Sequence, residues 1–131
     1  MMLKRIAQLA LSVSTMVLVA GWTVTDVAAK TPEKIAQIGL MVQDMSNPFF
    51  SAMDKGAQKA AAEIGAKVNT QDAQLDLANQ NTQIDAFIQQ GVDLIVISAV
   101  DEAGIEPAIQ RAKDAGIIVI AVDTPAHGAD V

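Results

Sequence analysis

Three near-continuous aliphatic runs dominate the chain: IAQIGLMV (35–42), DLIVIS (93–98) and GIIVIAV (116–122). A strand with one wet face alternates apolar and polar residues, whereas runs this unbroken must be covered on both faces, as strands are in parallel sheets. A fourth run, AKVNTQ (66–71), is weaker and more polar, which suits a sheet edge.

Between these runs the apolar period changes to that of a helix. Phe50, Met53, Ala57, Ala60, Ala61 and Ile64 recur at three- and four-residue spacing, as do Leu77, Ile84, Phe87 and Ile88, then Ile105, Ala108, Ile109 and Ala112. Gly65, Gly91 and Gly116 close the helical stretches, where a residue of positive φ is favoured. They lie 26 and 25 residues apart, the length of one βα unit. Repeated strand–helix–strand units imply parallel strands with right-handed crossovers. The expected fold is α/β: an open, doubly wound parallel sheet of order 2-1-3-4, with helices on both faces.

The N-terminus reads as a leader. MMLKR is basic, IAQLALSVSTMVLVA is mostly apolar, and VAA (27–29) offers small residues for cleavage after Ala29. Gln8, Ser12, Ser14 and Thr15 interrupt the apolar stretch, which falls short of the roughly 20 apolar residues a membrane span needs. Residues 1–29 are therefore expected to be a signal peptide, and residues 30–131 a domain exported to the periplasm.

The whole chain carries a net charge of −6, and loss of Lys4, Arg5 and Asp26 with the leader makes the remainder −7. Nucleic-acid affinity rests on Lys and Arg neutralising phosphates, so a nucleic-acid partner is not expected. There is no cysteine, which excludes disulfides, thiolate catalysis and a lipid-anchoring Cys.

In open α/β sheets ligands bind beyond the carboxyl ends of the strands. The polar and aromatic residues there are Gln43, Asp44, Asn47, Phe49 and Phe50 after the first strand and Gln71 and Asp72 after the second. Ser98 and Asp101 follow the third, and Asp123 and Thr124 the fourth. In VQDMSNPFFSAM (42–53), Asn47 is a favoured N-cap and Pro48 suits the first helical position. One of the paired rings packs under the helix and the other is turned toward the rim. Either both rings plug the end of the sheet, or the outer one stacks on the C–H face of a sugar while nearby Asn and Asp bind hydroxyls. Asp123 ends an otherwise apolar strand, where it either accepts hydrogen bonds from vicinal hydroxyls or shapes the turn with Thr124, Pro125 and Gly128.

Asp101 is expected to cap a helix starting at Glu102, with Arg111 and Lys113 near its other end. NQNTQ (79–83) reads as a solvated helix face, and His127, the only histidine, as an exposed loop residue without metal partners. No Gly-rich phosphate loop and no G-x-S-x-G elbow is present, so no enzymatic activity, no metal and no cofactor is expected.

The segments IGLMVQDMSNPFFSAMDKGAQKAAAEIGAKV and QGVDLIVISAVDEAGIEPAIQRAKDAGIIVIAVD resemble the amino-terminal lobe of the periplasmic sugar-binding proteins of ATP-driven (ABC) importers, the ribose/galactose type of the type I periplasmic binding protein fold. The likeness runs from about Lys34 to the end. It implies a two-lobed protein, monomeric at full length, that closes on a monosaccharide or polyol and presents it to the membrane subunits of an ABC permease. It also implies ligand-binding roles for Asn47, Phe49, Phe50 and Asp123, with Gln43 and Ser98 lining the pocket. Ribose binders carry Arg after the strand-end Asp, whereas Thr124 stands here. Family members are about twice as long, so the second lobe is expected to be missing. A sugar-sensing ectodomain of a membrane-tethered receptor is the alternative, and would retain residues 6–24.

Overall fold

The computed structural model describes residues 34–131; the expected leader lies outside them. Seven elements alternate along the chain: β1 (Gln37–Val42), α1 (Pro48–Glu63), β2 (Lys67–Asp72), α2 (Leu77–Gln90), β3 (Leu94–Ile97), α3 (Glu106–Asp114) and β4 (Ile118–Ala121). The strands form one sheet of order β2-β1-β3-β4 with every pair parallel, as the alternating patterns required. Gln37 lies opposite Lys67, Ile38 opposite Leu94, and Leu94 opposite Ile118.

The two-residue period of each strand divides its side chains between two apolar layers. Leu40 and Val42 pack with Phe50 of α1 on one face, joined by Met53, Ala57, Val68 and Val96. Met41, Ile95, Ile97 and Val119 pack on the other face with Ile84 and Phe87 of α2 and Ala108, Ile109 and Ala112 of α3. The aliphatic runs are thus buried from both sides, and the sheet is doubly wound. β2, the polar run, is the edge strand.

Gly39 in the middle of β1 allows α2 to sit close. A Cβ there would lie 2.6 Å from the fully buried ring of Phe87. Gly91 ends α2 in the left-handed region at φ 67°, where only glycine is free of a side-chain penalty.

Two expectations need correction. The third helix starts at Glu106, not Glu102: Pro107 has no N–H to give to Ala103, so residues 102–105 form turns instead. Asp101 still accepts from the N–H groups of Ala103 (3.0 Å) and Gly104 (2.7 Å), so it caps that turn. The 79–83 stretch is not a solvated face: Gln80 is 0% exposed, and Asn79, Asn81 and Gln83 are half-buried.

The last residues run along the outer edge of β4. Asp130 N–H donates to Val119 O (2.8 Å), Val119 N–H to Asp130 Oδ2 (2.9 Å), and Ala121 N–H to Val131 O (2.8 Å). Lys113 holds this segment through Asp130 (2.9 Å) and Gly128 O (2.9 Å). Among the described residues, no helix is long and apolar enough to cross a membrane.

Candidate ligand-binding site

The chain leaves β1 for β2 on one side and later returns to place β3 on the other, so β1 and β3 flank the point where the connections diverge. Ser98 N–H donates to Met41 O (2.9 Å) where the two strands still run together. Beyond it β1 turns away, and Gln43 O accepts instead from Leu75 N–H (2.8 Å) in the loop after β2.

Three strand ends are tied together at this opening. The Gln43 amide Nε2 donates toward Ser98 Oγ (3.1 Å), Ala99 O (2.8 Å) and Thr124 Oγ1 (2.7 Å), its two hydrogens shared among three acceptors. The Ser98 hydroxyl, itself buried, donates to Asp123 Oδ2 (3.0 Å). Gln43, Ser98, Asp123 and Thr124 therefore form one network across β1, β3 and β4. Asp123 is exposed, and among the described residues its hydrogen bonds run to Oδ2 and none to Oδ1.

The backbone at Asp123 is a tight turn. Thr124 N–H donates to Val122 O (2.7 Å) across a residue at φ 64°, the rarer, strained hand of the γ-turn. Asp tolerates this region better than most side chains, so the carboxylate and the turn share one residue.

Asn47, Phe49 and Phe50 form a second group at the start of α1. Asn47 is the N-cap, its Oδ1 accepting from Phe49 N–H (3.0 Å), with Pro48 directly after it. Successive helical residues point about 100° apart, and this separates the rings. Phe50 is 5% exposed and belongs to the α1 layer, whereas Phe49 is 51% exposed. The rings meet edge to face, centroids 5.2 Å apart at 76°. The loop leading here is fixed by Asp44, which accepts from the Ser46 hydroxyl (2.7 Å) and N–H (2.9 Å). Those bonds, the hydroxyl's first, hold the Asp44 carboxyl below its ordinary range.

The remaining rim candidates serve local structure. Gln71 donates to Asn69 Oδ1 (3.0 Å), and Asp72 Oδ1 accepts from Gln74 N–H (2.9 Å). Gln74 and Leu75 both have positive φ (55° and 57°) in a turn closed by Asp76 N–H to Ala73 O (3.0 Å). Sequence reasoning missed Gln80, whose amide lies directly behind Ser98. It is spaced three residues after Leu77 and four before Ile84, and that spacing marks the buried face of α2.

An open parallel sheet that gathers a carboxylate, an amide and a hydroxyl at its carboxyl edge, with a half-exposed ring following its first strand on the same edge, has the form of a lobe of a small-ligand binding protein. The chain belongs to the periplasmic binding protein family, whose domain model matches residues 38–131. It is 39% identical over 90 residues to the ribose import binding protein of Bacillus subtilis, covering 69% of this chain and 30% of that one. It is 36% identical over 101 residues to the D-ribose/D-allose-binding protein of Pseudomonas aeruginosa, covering 74% and 31%. An ABC transporter solute-binding protein from Mycobacterium smegmatis, solved with bound glycerol, superposes with a TM-score of 0.68 at 33% identity, covering 72% of this chain and 33% of that one. The chain thus spans about a third of the length of these relatives.

Proposed function

We propose that this chain supplies one wall of a binding site for a monosaccharide or polyol, in a periplasmic protein that delivers the ligand to an ABC permease. The observation that carries this is the state of Asp123: an exposed residue with one carboxylate oxygen held by Ser98 and no hydrogen bond to the other among the described residues, on the same rim as the half-exposed ring of Phe49. A fixed acceptor for hydroxyls and an apolar surface for C–H groups are the two things a sugar face needs. The similar proteins named for ribose, for ribose and allose, and solved with glycerol support polyhydroxylated ligands as the class. Asn47, Phe49 and Asp123 make the contacts, Phe50 backs Phe49, and Gln43 and Ser98 hold the carboxylate in place.

Residues 1–29 serve as the export signal. The N-terminus of the protein recovered from the periplasm tests this by mass spectrometry: a chain beginning at Lys30 fits, and one beginning at Met1 is anchored.

Thermal unfolding of the full-length gene product against a panel of pentoses, hexoses and polyols tests the ligand class, since a ligand that binds only the native state raises its melting temperature. One sugar or polyol is expected to give a clear upward shift. Asp123→Asn, which keeps the tolerance for positive φ and an acceptor for the Ser98 hydroxyl, is expected to lower the unliganded midpoint only slightly. It should weaken binding about tenfold or more, because hydrogen bonds to a charged group contribute about 1.5–3 kcal/mol. No shift across the panel would move the ligand outside carbohydrates.

A further inference from the structure

We propose that Gln80 is a positioning residue for the ligand site: its buried side-chain amide replaces the missing strand neighbour of residues 98–100 and so holds the Gln43–Ser98–Asp123 network in register. The inference rests on the sugar-binding reading only for what the network binds.

Gln80 Nε2 donates to Ser98 O (3.0 Å) and Gln80 Oε1 accepts from Val100 N–H (3.0 Å). A residue of a parallel strand bonds its neighbour in this same pattern, giving its N–H to one carbonyl and accepting from the N–H two residues further on. The side chain of α2 therefore continues the ladder that β1 abandons when it turns away at Gln43. Without it, Ser98 O and Val100 N–H would be left without these partners at the end of β3, and unpaired polar groups away from water are costly.

The segment held this way carries the site on its other groups. Ser98 Oγ binds both Gln43 and Asp123, and Ala99 O accepts from Gln43. A rotation of the 98–100 peptides would displace all three contacts together. Among the described residues Gln80 makes no hydrogen bond to Gln43, Asp123 or Thr124, so it acts on them through the backbone. The opening between β1 and β3 keeps its shape because an amide, rather than a strand, fills the gap behind it.

The test compares Gln80→Leu, which keeps bulk without polar atoms, with Gln80→Glu and with Ile109→Val, a conservative core change on α3. NMR of the labelled full-length protein without ligand is read first. Gln80→Leu is expected to shift or broaden the Gln43 side-chain amide and the Thr124 backbone signal, while Ile109→Val leaves them in place. Unchanged signals in Gln80→Leu overturn the proposal. If that variant does not fold, Gln80→Glu decides: its carboxylate accepts from Val100 N–H but cannot donate to Ser98 O, whereas its protonated form can do both. Compared with wild type at each pH, the Gln43 signal should then return toward the wild-type position as pH falls through the titration of the introduced carboxyl, followed at its own carboxyl carbon, and a wild-type spectrum with that carboxyl shown to be ionised overturns the proposal. Binding is read second. Tenfold or greater loss of sugar affinity in Gln80→Leu, with less than twofold in Ile109→Val, supports the proposal, and equal affinities overturn it. Moved signals in a protein that binds no sugar or polyol at all leave the positioning role standing and remove the sugar reading instead.

Discussion

Adjacent Phe49 and Phe50 show how one step of a helix assigns two identical side chains to different tasks. Phe50 closes the α1 layer over Leu40 and Val42, and Phe49 stands half in solvent. Phe50→Ala should cost about 3–5 kcal/mol of stability, as removal of a buried ring does. Phe49→Ala should cost about 1 kcal/mol, since full burial of such a side chain is worth about 1.5–3 kcal/mol. Urea denaturation of the two variants measures the difference, and equal losses would mean that Phe49 is also core. The inequality of the two rings was legible from their adjacency beside an N-cap. Gln80 was not: counting it with its polar neighbours hid it, although its spacing from Leu77 and Ile84 set it among apolar ones.

At the scale of elements, the close approach of α2 to β1 depends on Gly39. Gly39→Ala drives a methyl into the Phe87 ring, which is fully buried and has nowhere to retreat. Overpacking of this kind costs about 1–3 kcal/mol, to be read as a fall in the denaturation midpoint at unchanged slope. The segment along β4 carries a pH dependence. The Val119 N–H bond, with Lys113 assisting, holds the Asp130 carboxyl below its ordinary range. A depressed folded-state value stabilises the native form above the unfolded value near 3.9, and the gain is lost as pH falls through the lower folded value. Hydrogen exchange at Val119, corrected for the intrinsic rate, should therefore accelerate in acid, and Asp130→Asn should flatten that dependence. The strands were readable because each aliphatic run is buried on both faces. The start of α3 was misplaced because a helix was extended back across a proline, where the missing N–H at Pro107 forbids the ladder.

For the whole molecule, the rim is a wall and not an enclosure: Asp123 is exposed and Phe49 is half exposed. Small-ligand sites usually cover about 70–90% of their ligand, which this surface cannot do. The 131-residue chain by itself is expected to bind the proposed sugar or polyol at millimolar strength or weaker in calorimetry, and a micromolar affinity would show that one wall suffices. The order β2-β1-β3-β4 also has a consequence in time. β1 is made first, yet it lies inside the sheet, with one side closed by a strand about 30 residues later and the other by one about 56 residues later. A ribosome releasing this chain therefore exposes an inner strand before either of its neighbours exists, and β1 has both its partners only once β3 has emerged.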